Sequence, residues 1–180
     1  MIDLAYSREK MLADIRAPRD PVPVGELADP AARAAFVRSD AARLSMRVRT
    51  PEEILPDLNA ALADRFAEVD PEELERSLLL PLKKAVGNAH KRGNRRDPQK
   101  LITLEVLVTR AGAFVQVSDQ GEGFDVAAIC ERFRSGSPYY THGGSGFRKF
   151  EKARGIVSFD DGGRTFRATF HARSDRPTVR

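Results

Sequence analysis

Two short runs in the middle of the chain restrict its fold most. ITLEVLV at 102–108 and AFVQVS at 113–118 are rich in β-branched residues and alternate in polarity, with only ThrArgAlaGly at 109–112 between them. Period-two alternation marks a half-buried strand, and so short a link joins antiparallel neighbours. A β-hairpin is therefore predicted, its second strand ending at Asp119. A second hairpin is predicted where IVSF and RTFRATFHA flank DDGG at 160–163. Phe166, Ala168 and Phe170 face one way there, and Thr165, Arg167 and Thr169 the other.

Ahead of these hairpins, LSMRVR alternates Leu44, Met46 and Val48 with Ser45, Arg47 and Arg49 and reads as a leading strand. Thr50-Pro51-Glu52-Glu53 follows, a capping-box start with proline in the first turn. Ile54, Leu58, Leu62 and Phe66 then recur every four residues, which predicts a helix bent near Pro56. Asp70-Pro71-Glu72-Glu73 repeats the start signal. Leu74, Leu78, Leu82, Ala85, Val86 and Ala89 carry a second apolar stripe to a stop at Gly93-Asn94, with a kink expected at Pro81. A short helix is expected at about 125–133 and another in GFRKFEKARG at 146–155. The sum is an α/β two-layer sandwich, one mixed sheet with helices on one face. The domain is placed at 43–173 and a C-terminal tail at 174–180. Residues 1–42 read as an N-terminal extension of unassigned role, with one short helix in DPAARAAFVRSDAARL.

Composition narrows the function classes. The 180 residues, 41% hydrophobic and 31% charged, suit a single domain with a real core. No stretch approaches the roughly 20 apolar residues of a membrane span. The opening MIDLAYSREKMLADIRAPRD carries charges where a signal peptide needs an apolar run, so a cytoplasmic protein is expected. The lone Cys130 rules out an intramolecular disulfide framework and reads as a half-buried small side chain. Thirty Lys and Arg against 26 Asp and Glu give +4, densest in KRGNRR at 91–96. That balance suits an anionic ligand, whereas the absence of Trp and the three Tyr weigh against a nucleic-acid platform.

Three segments carry candidate chemistry. In DQGEGF at 119–124, Asp119 closes a buried strand, where a carboxylate needs a donor such as an adenine amino group. Gly121 and Gly123 remove Cβ atoms where a flat base would slide against backbone, and Phe124 offers an apolar edge. Plain strand-ending turns and calcium loops share the Asp-x-Gly-x-Gly pattern. In GGSGF at 143–147, glycines precede a helix whose N-terminus points backbone N–H groups toward an anion; a loop with no ligand is the competing reading. Asn88, in VGNAHKRGN, sits on or beside its helix's apolar stripe, where a satisfied structural asparagine is the common alternative.

Taken together, in this order and on these elements, the segments resemble the nucleotide site of the GHKL superfamily, the ATPases and kinases that include gyrase, histidine kinases and MutL. They are most similar to the anti-sigma-factor serine kinases of the RsbW and SpoIIAB type. AVGNAHKRGN resembles the N box, VSDQGEGFD the first glycine box and GGSGFRKFEKARG the second. The resemblance covers roughly residues 43–172 and implies the Bergerat ATP-binding fold with ATP and Mg²⁺ as ligands. It implies Asn88 as the metal ligand, Asp119 as the adenine reader, Gly121 and Gly123 beside the base, and Gly144 and Gly146 at the phosphates. Lys91 is one turn beyond Asn88 and in reach of phosphate; the lid corresponds to Val126–His142, with Arg132, Arg134 or His142 as further phosphate contacts.

One departure from the pattern bears on catalysis. Active members carry a general-base glutamate four residues before the asparagine, and here that position is Lys84. A protonated lysine cannot accept a proton, yet it attracts a triphosphate. The usual histidine of the N box is Arg92. No histidine lies in a helical phosphoacceptor segment, which weighs against a self-contained sensor kinase. The resemblance thus implies an ATP-binding regulator that engages a partner protein, a sigma factor or its antagonist, as a monomer or homodimer, with phosphotransfer weak or absent. The alternatives are an active serine/threonine kinase or ATPase acting on an antagonist protein and, more distantly, a basic nucleic-acid-binding domain.

Overall fold

The structure, a computed structural model, describes residues 1–136 and 145–172. A six-stranded mixed sheet organises them, in the order β1-β2-β3-β4-β6-β5. Its strands are β1 (Val22–Val24), β2 (Ala41–Val48), β3 (Ile102–Thr109), β4 (Gly112–Ser118), β5 (Val157–Asp160) and β6 (Thr165–His171). Both predicted hairpins form: Val106 pairs with Val115 across β3 and β4, and Phe159 with Phe166 across β5 and β6. All neighbours are antiparallel except β1, which runs parallel to β2 at one edge.

The helices are α1 (Arg8–Asp14), α2 (Pro30–Arg38), α3 (Leu55–Arg65), α4 (Pro71–Leu74), α5 (Leu80–Asn88), α6 (Val126–Arg134) and α7 (Ser145–Lys152). At the start before α3, the Glu53 carboxylate accepts the Thr50 N–H at 3.1 Å. The bend near Pro56 appears as a break between a 3₁₀ turn, Pro51–Glu53, and α3. Asp70 caps α4, accepting the Glu73 N–H at 2.9 Å.

The disturbance expected at Pro81 takes the form of a π-helical stretch, Glu75–Leu79, joining α4 to α5. Proline has no N–H for the Ser77 carbonyl and its ring crowds that oxygen; a wider turn relieves both. A second π stretch, Ala89–Gly93, ends the long helix, and the Asn94 N–H closes on the Ala89 carbonyl at 2.7 Å.

One face of the sheet buries Leu44, Leu104, Val106, Val115, Phe166 and Phe170 against Phe36, Leu58, Leu62, Leu82, Val86 and Phe150. The Phe66 and Phe170 rings meet edge to face, 5.3 Å between centroids. Such burial, at about 25 cal/mol per Å² of apolar surface, is the main stabilising term.

Helices on one face only was the expectation, and α1 departs from it. Met11 and Ile15 pack on Leu107 and Phe114, which point away from the main core. The Thr109 hydroxyl donates to the Ile15 carbonyl at 2.6 Å, and Arg8 pairs with Glu105 at 2.9 Å. Residues 1–42 are thus built into the sheet. Ile2 bridges Val157 at one edge, β1 lies at the other, and Leu27 and Phe36 enter the main core. Only Pro30–Arg38 of the DPAARAAFVRSDAARL segment is helical, because Arg65 gathers the Phe36, Val37 and Ser39 carbonyls at the helix end. Ala42 and Leu44 then alternate inward and lengthen the leading strand. Among the described residues no helix is long and apolar enough to cross a membrane.

Candidate functional site

A cavity of about 470 Å³ opens between α5, the loop after β4, the β5–β6 hairpin and α7. Strand β4 delivers Val117 and then Asp119 to its floor, and α5 delivers Lys84 and Asn88 to its wall. With a period near 3.6, residues four apart share a helix face, so these two side chains stand one turn apart at the same opening. Asn88 is exposed to the cavity, and among the described residues its amide makes no hydrogen bond. An amide so placed is open to a ligand.

Asp119 is half-buried. Burial raises its carboxyl above the ordinary carboxylate range; the Gly121 N–H, donating to Oδ1 at 2.8 Å, and the charges of Arg164 and Lys100 pull the other way. The carboxylate lies so close to Gly93 that a Cβ there would stand 2.2 Å from its Cγ. Gly121 and Gly123 also have neighbours within the chain. A Cβ on Gly121 would stand 2.2 Å from the Gly93 carbonyl oxygen, and one on Gly123 would stand 2.0 Å from that of Gly162. Gly123 further adopts φ 75°, a left-handed conformation that costs other residues energy. Both glycines therefore let loops close around the cavity, and Gly123 lines it while Gly121 sits behind.

Phe124 lines the cavity as expected, its ring edge to face with Phe159 at 5.6 Å. Lys91 is exposed and away from the lining; Arg92 stands there instead. The π stretch explains the exchange, since its wider turn carries the residue four beyond Asn88 toward the azimuth that an α-helix shares with the third. Gly146 is in the first turn of α7. Gly144 and His142 lie outside the described residues. Arg132 and Arg134 occupy the last turn of α6, away from the lining; α6 itself matches the short helix expected there.

Several lining residues escaped the sequence reading. Phe147 and Phe150 of α7, Phe159 of β5 and Phe166 of β6 form an aromatic wall, with Phe147 and Phe159 stacked 5.5 Å apart. Their spacing of three in GFRKF was a usable signal for the first two. Arg95 and Glu122, paired at 2.7 Å across the mouth, come from loops and carry no periodic signal. Asn94 does more than stop the helix. It is buried, and its Oδ1 accepts the Gln120 N–H at 2.8 Å, tying the end of the long helix to the Asp119 loop.

The arrangement has the features of a site for a planar, anionic ligand. An apolar aromatic wall and a carboxylate lie at one end, and Lys84 and Arg92 add positive charge near a single free amide. Among the described residues no three His, Cys, Asp or Glu side chains cluster to hold a metal by themselves. A divalent ion here would need oxygens from the ligand beside the Asn88 amide, as magnesium commonly takes from phosphates. The chain matches no protein-family model, and no curated protein matches it in sequence.

Proposed function

We propose that the chain is an ATP-binding regulator of the kind its resemblance to anti-sigma-factor kinases implies, binding Mg²⁺ and ATP in this cavity and a partner protein in a nucleotide-dependent way. The observation that carries the reading is the convergence of Lys84 and Asn88 from α5 and of Asp119 from the loop after β4, two separate sequence segments, on one cavity. Asp119 would accept from the adenine amino group, with Phe124 and the neighbouring rings excluding water from the base. Asn88 would hold the magnesium ion through its amide oxygen. Held there, it would supply charge neutralisation for the phosphates.

Lys84 occupies the place where a general base would act, and a protonated amine there neutralises phosphate charge without accepting a proton. The proposed role of ATP is therefore that of a switching ligand, with phosphotransfer to a partner's serine or threonine weak or absent. Isothermal titration with ATP and ADP, with and without Mg²⁺, tests the reading. Saturable ATP binding strengthened by Mg²⁺ is expected, and no detectable binding would overturn it.

A further inference from the structure

A second cluster of polar side chains lies nearer the N-terminal end of the long helix than the residues that line the cavity. Glu73 and Ser77 are 8% and 2% exposed, in a stripe otherwise made of Leu74, Leu78 and Leu82. Ser77 Oγ donates to Glu73 Oε1 and accepts the Arg154 N–H at 2.9 Å. Arg154 Nε lies 3.3 Å from the same carboxylate oxygen, and Arg76 pairs with the other. A buried carboxylate stabilises little against an apolar side chain of similar volume, so its distinctive consequence is geometric. It joins the helix to the segment just after α7.

We propose that Glu73 and Ser77 are positioning residues of the cavity, latching the end of α7 so that Phe147 and Phe150 stand against the ligand; for the ligand's identity this rests on the ATP reading. The latch follows from Pro81. The π stretch that accommodates the proline places Ser77 in its middle, and the Ser77 hydroxyl meets Arg154 from there. Phe150 packs on Phe166 at 4.9 Å and Phe147 stacks on Phe159, so displacement of α7 moves the aromatic wall. Phe147 also meets Phe133 of α6 at 5.9 Å, and α6 carries Cys130, the sole cysteine, 4% exposed. Release of α7 would loosen α6 and expose that thiol.

The test uses Ser77→Ala, Glu73→Ala and Glu73→Gln in the full chain, with fold checked by circular dichroism. ATP affinity is measured by titration and Cys130 accessibility by its labelling rate with a thiol reagent in the absence of nucleotide. Both alanine variants should weaken ATP binding about five- to tenfold, the loss expected for one or two hydrogen bonds, and should speed Cys130 labelling. Glu73→Gln, which keeps an oxygen acceptor for Ser77, should fall between them and the wild type in both measures. Wild-type labelling rates in folded alanine variants would overturn the latch, as would a glutamine variant no better than alanine. If an alanine variant does not fold, the glutamine variant alone decides by the same two readings. A wild-type protein that binds no ATP would sink the functional reading, while the labelling rates would still decide the latch.

Discussion

At the scale of single residues, Asp119 makes a prediction with two opposite signs. Burial raises its pKa in the fold, so its contribution to stability is fully present below the unfolded value and is lost as pH rises through the folded one. At neutral pH the ionised group therefore costs the free protein stability. Asp119→Asn should raise the thermal midpoint of the ligand-free protein at pH 7 while weakening ATP binding by more than tenfold, as loss of a charge-assisted hydrogen bond of about 1.5–3 kcal/mol requires. Wild-type affinity should also fall on acidification through that raised pKa. Differential scanning calorimetry beside titration reads both signs at once. Asn88→Ala should abolish the Mg²⁺ dependence of affinity more than the affinity itself, and an equal Mg²⁺ response in both proteins would return Asn88 to a structural role. Lys84→Glu should lower ATP affinity, since a carboxylate repels the triphosphate, and should raise hydrolysis by up to about 10²–10⁴-fold if a general base is all that is missing. Steady-state phosphate release measures this; robust hydrolysis by the wild type would contradict the switching-ligand reading.

At the scale of elements, the loops around the cavity are held by backbone contacts that leave no room for side chains. Gly123→Ala would place a methyl group 2.0 Å from the Gly162 carbonyl at a φ of 75°. It should cost about 1–3 kcal/mol, read as a shifted urea midpoint with an unchanged slope. Gly87, which has nothing within 4 Å of a built Cβ, is the matched control on the neighbouring helix, where alanine should be neutral or slightly stabilising. The two π stretches are also events at this scale. One answers Pro81 and the other exchanges Lys91 for Arg92 at the cavity.

For the whole molecule, the first 42 residues complete both faces and both edges of the sheet. Met11 and Ile15 are fully buried against Leu107 and Phe114, so this segment contributes to global stability. Met11→Ala should cost about 2–5 kcal/mol, the range for emptying a buried methionine site. Chemical denaturation measures it, and a loss below about 0.5 kcal/mol would mean that α1 frays independently of the domain.

What the sequence determined by itself was whatever depends on neighbours in the chain. Alternation placed β3, β4 and β6, stripes of period near four placed α3 and the long helix, and Pro and Asp marked where those helices start. Asn88 sits in such an element and Asp119, Gly123 and Phe124 in the turn directly after one, while Lys84 was marked by the family resemblance; all five line the cavity. Tertiary structure alone decided the rest. Residues 1–42 lack a sustained period because they add one short element at a time to surfaces made by distant strands. Arg92 displaced Lys91 because a proline-free stretch of helix widened at its end, which residue spacing assuming 3.6 per turn does not foresee. Gly121 and Gly123 owe their missing Cβ atoms to carbonyls roughly 28 and 39 positions away in the chain, and Glu73 and Ser77 find a polar partner in Arg154, roughly 80 positions on. Contacts between segments far apart in sequence leave no periodic trace, because periodicity records only the local geometry of one helix or strand.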